Sequence, residues 1–153
     1  MVLRVLASTL GAIDRHAAES YPNECCGAVL ADNDGEIVRP ITNIQDRLHA
    51  ENPEKHPRDA RTAYFMDPKE LYAVLREAEE QRRPLRILYH SHPDHDAYFS
   101  AEDKERALAW DEPAYPGAFY LIVSVVGGCV RDHLVVAWDA ERRDFTPVGI
   151  ATG

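Results

Sequence analysis

The sequence predicts a single α/β domain: a mixed β-sheet flanked by helices. Three observations carry that prediction. Short apolar runs of strand length alternate with segments of helical period along the 153 residues, as they do in α/β folds. Asp32-Asn33-Asp34-Gly35 lies between two apolar runs and reads as the turn of a β-hairpin, which requires an antiparallel pair. No internal repeat or low-complexity segment breaks the pattern, and a chain of about 150 residues buries roughly 70% of its unfolded surface, enough for one core.

Taken in order, residues 2–6 alternate weakly, as a short strand or a lead into a helix. Ser8 is placed to cap a helix to about Ser20, with Leu10, Ile13 and Ala17 on one face. Tyr21-Pro22-Asn23 breaks it. Cys25 to Leu30 and Glu36 to Ile41 are the hairpin strands, with an Asp-Gly turn between them. Residues 45–62 hold two prolines, two histidines, many charges and no apolar period. They read as a long surface loop, either mobile or placed to grip a partner or cover a site. Asp67-Pro68-Lys69-Glu70 combines an N-cap, a proline at the first helical position and an early acid. It opens a helix to about Arg82, with Leu71, Val74, Leu75 and Ala78 inward, ended by Pro84. Leu85 to His92 is a strand, and Ser100 opens a helix to about Trp110. After a turn at Pro113 to Gly117 come strands Ala118 to Val126, Val130 to Trp138 and a last one near Asp144 to Gly149.

Hydrophobic residues make up 45% of the chain and charged ones 28%, values of a soluble globular protein. A formal net charge of −9 argues against a nucleic-acid partner, which needs a basic face. No apolar run approaches the roughly 18 residues of a membrane span. The apolar stretch Val5 to Ile13 is interrupted by Asp14 and Arg15 and reads as the first fold element, not a targeting segment. Three cysteines, Cys25, Cys26 and Cys129, show no framework spacing, which points to a reducing compartment, with the cytoplasm as default. They read as buried thiols.

The chemistry is concentrated between Tyr89 and Asp103. Side chains alternate along a strand, so His90 and His92 share a face. Pro93 stops the strand, and Asp103 falls in the first turn of the helix that Ser100 opens. Two imidazoles and one carboxylate are three protein ligands, the pattern of a catalytic zinc that keeps one position for water. Such a zinc brings the pKa of a water to about 7. Amide hydrolysis then needs a base that is not a ligand and a donor for the developing oxyanion. Ser100 is a candidate donor, although Ser100 to Asp103 is equally a plain helix cap. Glu24, just before the strand from Cys25, is a candidate base, and taken alone it is a loop acid. Asp94, His95 and Asp96 read as solvated loop residues, with support of the ligands as the alternative.

His90-Ser91-His92-Pro93, six further residues, Ser100, two more and Asp103 resemble the JAMM (MPN+) metallopeptidase motif. Tyr21-Pro22-Asn23-Glu24-Cys25-Cys26-Gly27 resembles that family's glutamate-bearing segment. The resemblance spans most of the chain. It implies a curved mixed sheet of cytidine-deaminase-like architecture, one zinc on His90, His92 and Asp103, Glu24 as general acid/base and Ser100 supporting the oxyanion. A deaminase itself is excluded by the missing H-x-E and P-C-x-x-C ligands. The short length implies the bacterial type, whose substrates are ubiquitin-like sulfur-carrier proteins. Such a partner's C-terminal tail would be trimmed, or relieved of a cysteine built on it, while lying as an added strand beside a sheet edge. The alternatives are a RadC-like protein carrying the same motif and a non-catalytic module with structural zinc, in which Cys25 or Cys26 completes the coordination.

Overall fold

The computed structural model describes residues 1–153. Strand β1 (Val2–Val5) leads into helix α1 (Ala7–Ser20), and a hairpin of β2 (Cys26–Asp32) and β3 (Gly35–Ile41) follows. Helices α2 (Gln45–Glu51) and α3 (Pro68–Glu80) precede strand β4 (Leu85–Pro93) and helix α4 (Ala101–Ala107). A two-stranded ribbon, β5 (Leu108–Ala109) and β6 (Glu112–Pro113), then leads to β7 (Phe119–Val126), β8 (Cys129–Asp139) and β9 (Asp144–Thr152). Seven strands form one curled mixed sheet in the order β1-β9-β8-β7-β4-β2-β3. The β4–β7 and β1–β9 pairs are parallel and the rest antiparallel. The predicted α/β class is the observed one. No helix is long and apolar enough to cross a membrane.

Alternation divides the sheet into two apolar faces. Ile87, Tyr89, Val29, Leu121 and Val123 pack with Ile13 and Ala17 of α1. Leu88, Ala28, Leu30, Tyr120 and Val136 pack with Val74 of α3 and Ala107 of α4. Odd-numbered β4 residues therefore face α1, while His90 and His92 continue the Leu88 side.

Five local expectations are corrected. Ser8 does not cap α1: Leu6 is the N-cap and gives no side-chain bond. The helix entrance is satisfied from elsewhere in the chain, by Glu36 Oε1 accepting the Leu6 N–H (2.9 Å) and Gly153 O accepting that of Ala7 (3.0 Å). The hairpin turn is Asn33-Asp34, with Asn33 left-handed (φ 52°) and Asp32 paired to Gly35. Residues 45–62 are not all loop, because α2 occupies 45–51 and Gln45 is buried. The last helix ends at Ala107, not Trp110, since Trp110 and Asp111 take positive φ to close the ribbon. Of the cysteines, Cys25 and Cys26 are buried as expected, but Cys129 is exposed beside the β7–β8 turn.

Gly27 on β2 is paired with Tyr89 on β4. A Cβ there would lie 2.3 Å from the Tyr89 hydroxyl and 2.4 Å from Cζ. The ring is fully buried, and its hydroxyl bonds His16 Nδ1 at 2.7 Å. Gly27→Ala is therefore expected to destabilise the fold by about 1–3 kcal/mol, the range for overpacked cores. A urea midpoint that falls at unchanged m-value is the sign of it, and an unshifted midpoint would contradict the close contact.

Candidate active site

The site lies where β4 ends. The β4 strand pairs antiparallel with β2, with Cys26 opposite His90. This register brings Glu24, two residues before Cys26, to the mouth of the histidine strand. The Glu24 backbone is held there on both sides. Its N–H donates to Ala60 O (2.7 Å), and its carbonyl accepts from Asn43 Nδ2 (3.0 Å). Beyond Pro93 the chain turns through Asp94 in a left-handed conformation (φ 58°). The Asp94 carboxylate accepts from Gly127 N–H (2.9 Å) and Tyr21 O–H (2.7 Å). Asp94 is thus the exposed loop residue expected, and its carboxylate also ties the loop to the β7–β8 turn and the end of α1. His95 and Asp96 remain exposed.

Helix α4 then starts with a capping box. Ser100 Oγ accepts the Asp103 N–H (3.0 Å), and Asp103 Oδ2 accepts the Ser100 N–H (3.0 Å). Reciprocal capping fixes Asp103 toward the strand end. His90 Nε2 and His92 Nε2 are 3.2 Å apart, and Asp103 Oδ2 lies 3.1 Å from the first and 3.6 Å from the second. His92 Nδ1 is 3.0 Å from the Asp96 carbonyl. A proton on Nδ1 satisfies that carbonyl and leaves Nε2 with its lone pair toward the cluster. The support comes from the backbone of Asp96, not its side chain. Glu24 offers a carboxylate oxygen within 4.8 Å of both histidines. Glu24, His90, His92 and Asp103 are all buried.

Burial dominates the electrostatics. It lowers the proton affinity of His90, favouring the neutral ring. It also raises the Glu24 carboxyl to about 9, with Asp103 as the second cause and Arg58 opposing. Burial would raise Asp103 too, but His90, His92 and the Ser100 N–H together hold it well below the usual carboxylate range. His90, His92 and Asp103 thus bring two imidazoles and a carboxylate together, donor types that a divalent metal takes.

The donor spacing can be tested against an ion. Ligand atoms placed tetrahedrally about 2.0–2.1 Å from zinc lie roughly 3.3–3.4 Å from one another. The three observed separations bracket that value. The thiols do not fit a structural site. Cys26 Sγ is engaged with Ile41 O (3.4 Å), and Cys25 packs on the α1 side of the sheet, opposite the face that carries the histidines.

Several residues around the site were given no role by the sequence reading. Tyr64 stacks on His90, with ring centroids 4.4 Å apart and planes at 24°. Tyr98 packs on His92 at 4.7 Å. Arg58 and Arg106 line the same cavity of about 300 Å³ as Glu24, His92, Ser100 and Asp103. None of them stands at a spacing that periodicity could link to the histidines.

The family model described as prokaryotic homologs of the JAB domain matches residues 6–141. The chain belongs to this family. A relative from Haloferax volcanii named desampylase is 33% identical over 138 residues, covering 88% of this chain and 82% of its own. A second from Mycobacterium tuberculosis, named CysO-cysteine peptidase, is 33% identical over 123 residues, covering 80% and 73%. Among solved structures, a protein from Desulfitobacterium hafniense superposes with TM-score 0.70 at 22% identity, covering 100% of this chain and 93% of that one. A JAB1/MPN domain protein from Archaeoglobus fulgidus gives 0.52 at 11% identity, covering 97% and 99%. As a JAB-domain protein with these relatives, the chain is a hydrolase of the JAMM metallopeptidase type.

Proposed function

We propose that this JAB-domain protein is a zinc-dependent peptidase that hydrolyses an amide at the C-terminal tail of a ubiquitin-like sulfur-carrier protein. The observation that carries the catalytic half is the buried triangle of His90 Nε2, His92 Nε2 and Asp103 Oδ2, with sides of 3.1–3.6 Å, and Glu24 beside it. The substrate half is supported by the relatives named desampylase and CysO-cysteine peptidase.

In this reading His90, His92 and Asp103 hold one zinc, which when bound supplies a Lewis acid that brings a water to a pKa of about 7. Glu24 takes a proton from the water and delivers it to the departing nitrogen. The Ser100 Oγ lone pair is occupied by the Asp103 N–H, so the hydroxyl hydrogen is free to donate to the carbonyl oxygen as charge develops there. The cap and the oxyanion role of Ser100 are thus compatible. The non-catalytic zinc module loses its support, because Cys25 packs on the α1 side of the sheet, away from the histidines, and Cys26 Sγ is engaged with Ile41 O.

The test uses the Mycobacterium tuberculosis CysO–cysteine adduct and the purified protein loaded with one zinc per chain. Mass spectrometry is expected to show loss of one cysteine, loss of the activity on chelation, and its return on adding zinc back. An adduct that survives excess loaded enzyme overturns the carrier substrate.

A further inference from the structure

The relatives differ in name, one a desampylase and one a CysO-cysteine peptidase, so the leaving group is the open question about this cavity. We infer that Arg58 binds the α-carboxylate of the residue released, making the chain selective for a single C-terminal amino acid over an amine that belongs to a second protein. This rests on the peptidase reading above.

The first support is distance. With N–Cα near 1.46 Å and Cα–C near 1.52 Å, the carboxylate carbon of a leaving amino acid lies only about 2.5 Å from its nitrogen. Any group that reads that carboxylate must therefore line the catalytic cavity itself. Arg58 does, together with Glu24, Ser100 and Asp103.

The second support is charge. Arg58 and Arg106 share one carboxylate. Glu102 Oε2 takes Arg58 Nη2, and Oε1 takes Arg106 Nη2 at 2.8 Å. Arg106 is further committed, with Nη1 on the Tyr64 carbonyl and its guanidinium over the Tyr64 and Phe65 rings. Arg58 has one other bond, from Nη1 to Thr62 O (3.2 Å), and its side chain is 53% exposed. The remaining acids of the cavity, Glu24 and Asp103, belong to the hydrolytic centre. Two guanidinium groups on one carboxylate leave a cation without an equal partner, in a fork suited to a carboxylate.

The third support is that Arg58 is positioned by the fold. The buried Gln45 at the start of α2 donates from Nε2 to the Arg58 carbonyl (2.9 Å). Asp46 Oδ1 accepts the Ala60 N–H (2.7 Å), and Ala60 O accepts the Glu24 N–H (2.7 Å). The segment carrying the arginine is thereby tied to the backbone of the general base. Hydrolysis adds the water oxygen to the carbonyl carbon, breaks the C–N bond and moves a proton to the departing nitrogen. The product amino acid is then released with its carboxylate on Arg58.

The experiment compares the CysO–cysteine adduct as the free acid with the same adduct ending in a primary amide. Wild-type protein is expected to favour the acid by at least about tenfold in kcat/KM, mostly through KM, the size of one hydrogen bond to a charged group. Arg58→Met should lose more on the acid than on the amide and bring the ratio near one, with Arg58→Lys between. Equal wild-type rates on acid and amide overturn the inference and leave the peptidase reading intact. A preserved preference in Arg58→Met overturns the assignment to this residue. Cleavage of neither adduct by the wild type overturns both readings.

Discussion

Glu24→Gln is expected to keep one zinc per chain and an unchanged fold while losing roughly 10²–10⁴-fold in hydrolysis, the usual worth of a positioned general acid/base. The variant should fold because the amide is a near-isostere of the carboxyl and brings no charge into this buried position. It should keep the metal because His90, His92 and Asp103 already form a trio of the right spacing without it. What the amide cannot do is accept a proton from water. Metal analysis beside the rate assay separates two roles, since Glu24 stands within 4.8 Å of both histidines and is itself a conceivable ligand. Loss of zinc in the variant would reassign it to the metal, and a wild-type rate would sink the base assignment.

Asp103→Ala should have the opposite signature, loss of the metal first and activity with it. Asp103 supplies the only carboxylate of the trio. It also accepts the Ser100 N–H that closes the capping box. Its removal leaves two imidazoles 3.2 Å apart, with no carboxylate left in the trio to balance a divalent ion. Zinc retained after dialysis is expected to fall well below one per chain, with hydrolysis at background. Circular dichroism should still report the helix and sheet content, because a capping side chain is worth only about 1 kcal/mol. A variant that holds a full equivalent of zinc and hydrolyses as the parent does would falsify the ligand set.

Within the fold, the elements that read correctly were those with a strong local cause. Asp67 caps α3 as its sequence requires, accepting from the Lys69 and Glu70 N–H groups. The continuous apolar run of β7 is a central strand buried on both sides. The errors fell where a distant group supplied what the local sequence lacked. Ser8 was the nearest capping residue in the chain, but Glu36 from β3 was nearer in space to the open N–H of Leu6. Helix α2 carries no apolar stripe because its work is polar. Gln45 and Asp46 reach across to hold residues 58–60, a role no periodicity records.

The same division runs through the site. The period of a strand and the start of a helix placed His90, His92 and Asp103 together from the sequence alone, because all three lie within fourteen residues and local geometry relates them. Glu24 was named from family resemblance. What brings it to the histidines is the β2–β4 register, Cys26 opposite His90, and strand pairing across more than sixty residues leaves no local mark. Arg58 and Tyr64 were wholly a tertiary matter: they reach the cavity on a segment whose backbone is bonded to α2, to Asn43 and to Glu24. The sequence by itself determined the α/β class and the grouping of His90, His92 and Asp103, since period and capping act over a few residues. The tertiary structure decided which distant acid, arginine and aromatic ring surround that trio, since only pairing between strands far apart in the chain brings them near.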